Sequence, residues 1–421
     1  MRIALSLLVA GLVAVGVFNS AVGCPFCEAP SLTLTEQLNQ ADVSLLVQWV
    51  EAQKPNKEKG FSGATTYEVV EVVHDAGKAY KPGARVLLDR ERAAKPGDLF
   101  VLLGTKGTNV EWSSPLAVSE TSYQYIKQAP TQETPAAERL KYFVKFLEYP
   151  DAMVAADAYG EFANAPYKDI APVKDSFPRE NLRKWLSDPN TPKTRLGLYG
   201  LMLGLCGNEE DAKLLRDIIE QPTQDYRLGI DGLMAGYLLI NGADGLPLID
   251  DGKLRNANAP FSETYAGMQA LRFLWTYAPE RIPAERLRQS MRILLDRPDL
   301  ADLVITDLAR WEDWSVTDRL MQMYGHDEYN LPSIKRNIVR YFLVAERVKP
   351  KQEGEAPPES AIKAKQYLEK IKETDPKTYE AAKRFFILPG GASDSRPARQ
   401  RIEARVASPT SQAGLDWFAG L

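Results

Sequence analysis

The sequence predicts a multidomain protein in which a small all-β domain is followed by a long all-α array of helix pairs. Two observations predict this fold class. Short apolar segments separated by Gly and Pro turns occupy the first quarter of the chain, as in a small barrel. A ten-residue motif beginning at 195 then recurs at 227, which indicates stacked helical repeats. At 421 residues the chain is longer than one hydrophobic core usually organises.

The chain begins with the features of a signal peptide. Arg2 is the basic start, an uncharged apolar core runs from Ile3 to Val17, and the small residues Ala21-Val22-Gly23 form a cleavage site. The core is shorter than the roughly 20 residues that span a bilayer. We therefore predict that Met1–Gly23 is removed on export, that the protein is periplasmic or extracellular, and that the mature chain has no membrane span. An uncleaved anchor is the alternative.

The predicted mature chain starts with Cys24-Pro-Phe-Cys27. An exported protein meets an oxidising compartment, and the two cysteines close the shortest loop available, so we expect them to form a disulfide. The same four residues resemble glutaredoxin-like redox sites, which makes a thiol–disulfide activity an alternative. Cys24 also stands where a bacterial lipoprotein signal has its lipidated Cys, so a lipid anchor at Cys24 is another. Cys206, in an apolar stretch, is expected to stay reduced and buried.

Four strands are predicted in the first domain. Each is an apolar, β-branched or aromatic segment, and Gly or Pro turns separate most of them. A short segment with helical spacing precedes them at 32–38. The predicted strands are 41–50, 65–73, 84–88 and 99–103.

The order of these segments resembles the netrin-like, OB-type domain of the tissue inhibitors of metalloproteinases. The matching pieces are the closely spaced Cys24 and Cys27, Ala41–Val43, Tyr67–Val73 and Gly97-Asp98. The resemblance implies an OB-like barrel over residues 24–127. It also implies a third function, a protease inhibitor whose mature N-terminus enters a metal site.

The internal repeat carries the prediction for the second domain. Arg195–Gly204 and Arg227–Gly236 share seven of ten residues, including three glycines each, which would let helices approach closely. Asn208 with Asp211 predicts the start of the helix after the first copy. Tandem helix pairs resemble HEAT-type repeats, and this resemblance covers 136–388. A compact bundle is the alternative to a solenoid.

Further helices follow from apolar periodicity. Ser315 and Asp318 predict a capping-box start for one of them. The polar stretch 128–135 is the expected domain boundary, and 389–421 is expected to be a flexible tail. The predicted helices are 136–147, 152–162, 265–277, 283–295, 300–311, 315–324, 334–345 and 376–386.

Residues suited to catalysis are few. The net charge is −4, so nothing favours nucleic acid as a partner. The only histidines are His74 and His326, in different predicted domains, which disfavours a zinc site or a Ser or Cys triad. No phosphate loop or dinucleotide motif is present. We predict no cofactor, no metal and no enzymatic activity beyond the Cys24/Cys27 alternative.

The layout also resembles exported planctomycete proteins that begin with Cys-Pro-x-Cys, a likeness that implies export and no particular activity. The sequence therefore predicts a protein-binding or scaffolding module of the cell envelope that recognises protein partners through its helical-repeat surface.

Overall fold

The computed structural model describes residues 23–28, 32–56, 58, 60–75, 77–223, 225–350 and 355–384. The predicted tail 389–421 and the predicted signal peptide, except Gly23, lie outside the described residues. The described chain divides into two units, 23–304 and 305–384. The first unit holds the sheet together with the first helices. Separate folding of 24–127 and 136–388 stays a prediction.

Six strands form one antiparallel sheet in the first unit. Its order is β3-β2-β1-β4-β5, and β6 pairs with β4 beside β5. The predicted strands correspond to the first four, whereas the two three-residue strands were not predicted. The strands are β1 (Val43–Gln53), β2 (Ala64–Asp75), β3 (Arg85–Leu88), β4 (Leu99–Lys106), β5 (Val110–Trp112) and β6 (Leu116–Val118).

Alternation of apolar residues gives this sheet a core on one face. Val43, Leu45 and Val47 of β1 point to that face, where β1 pairs with β2 on one side and β4 on the other. Tyr67 of β2 contacts Phe100 of β4 edge to face, with ring centroids 5.5 Å apart. The buried face fixes the register, because a shift by one residue would turn these side chains to the opposite face.

The ends of the outer strands also approach each other. Arg90, just after β3, donates hydrogen bonds to the carbonyl oxygens of Trp112, at 3.2 Å, and of Ser113. The rings of Tyr80 and Trp112 are 5.6 Å apart. No strand pairing between β3 and β5 is present among the described residues. The sheet is therefore curved, with side chains bridging its two edges.

One helix precedes the sheet and sixteen follow it within the described residues. Most predicted helices are present. The helices at 120–128, 167–170, 179–187, 246–249 and 359–374 were not predicted. The helices are α1 (Leu34–Gln40), α2 (Glu120–Gln128), α3 (Ala136–Phe143), α4 (Ala152–Asn164), α5 (Tyr167–Ile170), α6 (Arg179–Ser187), α7 (Leu196–Cys206), α8 (Glu209–Glu220), α9 (Ile230–Asn241), α10 (Leu246–Ile249), α11 (Phe261–Tyr277), α12 (Ala284–Ile293), α13 (Ala301–Arg310), α14 (Thr317–Met323), α15 (Pro332–Ala345), α16 (Glu359–Thr374) and α17 (Pro376–Arg384).

The two copies of the repeat form α7 and α9, which pack against each other through their glycines. A Cβ atom on Gly204 would lie 2.3 Å from Cα of Gly236, and one on Gly236 would lie 2.1 Å from the oxygen of Gly200. Any side chain at these positions would push the helices apart. The expected role of the glycines in close helix approach is confirmed.

Capping residues agree with the prediction at one helix and not at another. Asn208 and Asp211 form a capping box at the start of α8, as predicted. The predicted box of Ser315 and Asp318 is wrong, because the side chain of Asp313 accepts from the Ser315 amide instead. A 3₁₀ turn over Trp314–Val316 then leads into α14, which begins two residues later than expected.

A buried carboxylate attaches α1 to α4. Asp157 accepts hydrogen bonds from the backbone amide of Leu34, at 2.6 Å, and from the hydroxyl of Tyr125, at 2.7 Å. Burial raises the pKa of Asp157 to about 6, although these two hydrogen bonds oppose the shift and the charges of Glu161 and Glu36 add to it. The segment before the sheet is thus anchored to a helix that follows the sheet.

The run Ile230–Leu254 is long and apolar enough to cross a membrane by length and composition alone, contrary to the expectation that no later segment would be. It comprises α9, α10 and the turns that follow each of them. Of its most apolar window, 61% is buried inside the protein. That burial is typical of a core helix, so the run is weak evidence for a span.

Candidate functional site

Cys24 and Cys27 are joined by a disulfide at the start of the first unit, as predicted. The amide of Cys24 donates to the carbonyl oxygen of Ala163, in the last turn of α4, at 2.9 Å. Between the cysteines, the buried ring of Phe26 packs on Phe273 of α11, with centroids 4.9 Å apart. The four-residue loop is therefore attached to the helical layer by both its backbone and its aromatic ring.

This geometry limits the chemistry open to the two cysteines. They lie in a turn, and the carbonyl oxygen of Phe26 between them approaches the first turn of α7, where a Cβ atom on Gly197 would lie 2.4 Å from it. Cys24 is only 6% exposed. A lipid thioether would need the sulfur atom that the disulfide occupies. The arrangement fits a structural clip better than a redox centre or a lipid anchor.

The third cysteine, Cys206, is a free thiol at the end of α7. The Cys206 side chain is half-buried, whereas the sequence suggested that it would be fully buried. Burial raises its pKa to about 11, and the negative charge of Asp211 adds to the shift. The thiol is therefore protonated at neutral pH and a poor nucleophile.

The two histidines occupy unrelated positions. His74 lies in β2, and His326 caps a 3₁₀ turn over Asp327–Tyr329. Among the residues that the structure describes, no group of three or more His, Cys, Asp and Glu side chains could hold a metal ion. Nδ1 of His326 accepts a hydrogen bond from the backbone amide of Glu328, at 3.4 Å.

One cavity lies in the repeat region, at the ends of α8 and α10 and the start of α11. Its volume is about 570 Å³. One wall is a π-helical turn, Asp250–Leu254, a deviation that is frequent at functional sites. We name this cavity the repeat-end cavity. It is lined by Glu220, Gln221, Pro222, Thr223, Pro247, Leu248, Asp251, Gly252, Lys253, Asn256, Asn258, Ala259, Pro260 and Glu263.

A buried ion network forms the base of the repeat-end cavity. Glu263, 2% exposed, accepts two hydrogen bonds from Arg227, at 2.8 and 2.6 Å, and one from Lys253 at 2.8 Å. Burial alone would raise the pKa of Glu263, but the hydrogen bonds from Arg227 and Lys253 outweigh it and hold the pKa below its usual value. Glu263 is therefore ionised.

The same two cations close the end of α8. Arg227 donates to the carbonyl oxygens of Ile218 and Ile219, and Lys253 donates to that of Ile219 at 2.9 Å. Positive charge at a helix C-terminus and the Glu263 carboxylate in the first turn of α11 both match the helix dipoles. Every charge in the network is paired, so it builds a rigid wall and offers no unpaired base or nucleophile.

Two exposed aromatic rings stand in the segments that border this cavity. Tyr226 directly precedes Arg227 and is 72% exposed, and Phe261 directly follows Pro260 and is 51% exposed. Phe261 stacks on Tyr265, with centroids 6.0 Å apart and the planes tilted by 15°. Exposed aromatic residues on a rigid base are typical of contact sites for other proteins.

The prediction from sequence placed function on the repeat surface but did not find this cavity. Arg227 was recognised only as the first residue of the second repeat copy. Its partner Glu263 lies 36 residues away, a separation that no periodicity indicates. The dense turn signals around Pro222 and Pro260 were the available clue, because loops often carry binding sites.

No family model and no curated protein matches this chain. The candidate function consequently depends on the geometry alone.

Proposed function

We propose that this chain is an exported, non-enzymatic protein-binding module of the cell envelope, and that the repeat-end cavity with its bordering rings is its contact site. The observation that carries the proposal is the pair of exposed rings, Tyr226 and Phe261, beside a fully paired ionic base. Aromatic residues supply much of the binding energy of protein interfaces, and a rigid base lowers the entropy lost on binding.

The charges of the cavity indicate the chemistry of the partner. Glu220 and Asp251 line it and are exposed, but Asp251 is paired with Arg255, and the cavity's cation Lys253 is paired with Glu263. A partner surface that offers apolar side chains to the two rings and a Lys or Arg to Glu220 would be complementary.

The finer description of the fold belongs to the same proposal. The bridging contacts of Arg90 and Tyr80 across the sheet edges support an OB-like barrel, and the packing of α7 on α9 supports a HEAT-like solenoid. Export rests on the signal peptide Met1–Gly23. Intact mass of the exported protein tests it: a chain that starts at Cys24 is expected, and retention of Met1–Gly23 would contradict export.

A paired capture experiment tests the contact site. Purified protein is crosslinked to the periplasmic and secreted fractions of its source cell, alongside the double variant Tyr226→Ala/Phe261→Ala. Leu87→Ala, which also removes an exposed apolar side chain but lies on β3, is the control. We expect a defined partner with wild type and with the control, and at least a tenfold loss with the double variant, or about 1.4 kcal/mol. Equal capture by all three would refute the site.

The two other functions receive less support. A thiol–disulfide enzyme needs an accessible attacking cysteine, and Cys24 is buried. A protease inhibitor of the netrin-like kind needs a mature N-terminus that can enter a metal site, whereas the Cys24 amide is bound to Ala163. Insulin reduction and metalloprotease inhibition assays are expected to be negative.

A further inference from the structure

A second cavity, in the first unit, has a different lining from the repeat-end cavity. Its volume is about 380 Å³, and it lies between α2 and the segment 142–149. We name it the aromatic cavity. One side consists of rings and the other of polar side chains: Tyr125, Tyr142, Phe146 and Tyr149 on the first, and Glu120, Thr121, Gln124 and Gln128 on the second.

The rings form one continuous cluster. Tyr142 lies 5.9 Å from Tyr125 with the planes tilted by 26°, and Phe146 lies 4.9 Å from Tyr142 and 5.6 Å from Tyr149. The hydroxyl of Tyr125 donates to Asp157, and that of Tyr142 donates to the Tyr125 carbonyl oxygen at 2.8 Å. These two hydroxyls are occupied inside the protein. A ligand on this side of the cavity would therefore contact mainly the carbon atoms of the rings.

The polar side comes from one helix. Glu120, Thr121, Gln124 and Gln128 share a face of α2 and are exposed. Neither Gln124 nor Gln128 makes a side-chain hydrogen bond within the described part of the chain. Each amide supplies both a donor and an acceptor, whereas the ionised carboxylate of Glu120 only accepts.

These two sides match the surface of a neutral sugar ring. A pyranose has a C–H face that packs on aromatic carbon and a rim of hydroxyl groups that both donate and accept. The amides of Gln124 and Gln128 can pair with such hydroxyls, and Glu120 can accept from them. An anionic sugar would be repelled by Glu120.

A proline-rich peptide, the other common ligand of aromatic grooves, fits less well. Its backbone carbonyls only accept, and its prolines have no N–H to donate to Glu120. The hydroxyls of Tyr125 and Tyr142 already donate internally, so only the amides of Gln124 and Gln128 could donate to such a peptide, and Glu120 would receive no hydrogen bond from it. We propose that the aromatic cavity binds a neutral oligosaccharide through stacking on Tyr149 and Tyr142, through hydrogen bonds that the amides of Gln124 and Gln128 donate and accept, and through hydrogen bonds that Glu120 accepts from sugar hydroxyls.

Calorimetric titration of the purified exported protein tests this. The probes are maltohexaose, cellohexaose and chitohexaose, each up to about 10 mM, with a proline decamer as the peptide probe. We expect at least one hexaose to bind and the decamer not to bind. Tyr149→Ala and Gln124→Ala should each weaken hexaose binding by about tenfold.

Leu87→Ala, which removes an exposed apolar side chain from β3, is the control and should leave sugar binding unchanged. Gln124 is exposed, so Gln124→Ala keeps the test valid even if Tyr149→Ala disturbs folding. Binding of the decamer alone, no binding of any hexaose, or equal affinity in Gln124→Ala and wild type would overturn the proposal. The capture experiment with Tyr226→Ala/Phe261→Ala tests the protein-contact site separately, so failure of one proposal leaves the other standing.

Discussion

Replacing Gly236 with Ala tests how the two copies of the repeat pack. The added Cβ atom would lie 2.1 Å from the Gly200 oxygen and 2.8 Å from its carbonyl carbon. Nonbonded heavy atoms normally lie about 3.5 Å apart. The clashing atoms belong to the backbone and cannot rotate away, so α7 and α9 would have to separate by roughly 1 Å.

Two contributions of opposite sign set the magnitude. Ala is a better helix former than Gly by about 1 kcal/mol. Overpacking usually costs about 1–3 kcal/mol, and a clash between backbones belongs at or beyond the upper end of that range. We expect Gly236→Ala to lower the free energy of unfolding by about 2 kcal/mol.

Gly252→Ala is the matched control, because no atom lies within 4 Å of its Cβ position and its φ is outside the left-handed region. Its free energy of unfolding should stay within about 1 kcal/mol of wild type. Urea unfolding of the full chain, followed by far-UV circular dichroism, measures both. If Gly236→Ala were as stable as Gly252→Ala, the close packing of the repeat glycines would be wrong.

Three further predictions concern stability. Phe26→Ala should lower the free energy of urea unfolding by about 3 kcal/mol or more, because it removes the aromatic contact with Phe273. The double variant Cys24→Ser/Cys27→Ser should lower it by less, because the disulfide closes only a short loop. A larger loss in the double variant than in Phe26→Ala would contradict the structural clip. Asp157 has a folded pKa of about 6, above its usual 3.8, so the protonated form is favoured in the folded state and stability should fall as pH rises from about 4 to 6. Asp157→Asn should therefore be more stable than wild type at pH 7, by about 1–3 kcal/mol. Thermal melting measures this, and melting temperatures that depend on pH in the same way in both proteins would refute it. Glu263→Gln should cost about 2–4 kcal/mol because it leaves two cations without their buried counter-charge, and an unchanged urea midpoint would show that the network contributes nothing.

The predictions from sequence succeeded where the signal is local. Asn208 with Asp211 marks a helix start because both side chains bond to the backbone of the same turn. The first four strands were found because their apolar residues face one core. Where two nearby residues could each cap the same turn, as Asp313 and Ser315 could, the sequence pattern did not show which of them accepts the hydrogen bond.

Elements that depend on distant partners were not predicted. The strands β5 and β6 have three residues each and exist through pairing with β4. Helix α2 begins directly after β6 and carries the aromatic cavity's polar side, yet its sequence was read as the end of the barrel. Its capping serine, Ser119, was a local signal that could have been recognised.

By itself, the sequence determined an antiparallel sheet followed by helices, the Cys24–Cys27 pairing and a repeat whose glycines require close packing. Only the tertiary structure decided how equivalent residues are used. Arg195 and Arg227 occupy the same place in the repeat, but Arg195 pairs with Glu148 at 2.6 Å and Arg227 pairs with Glu263. The physical reason is that a repeat sets the direction of a side chain, whereas the carboxylate it meets is supplied by a segment distant in sequence.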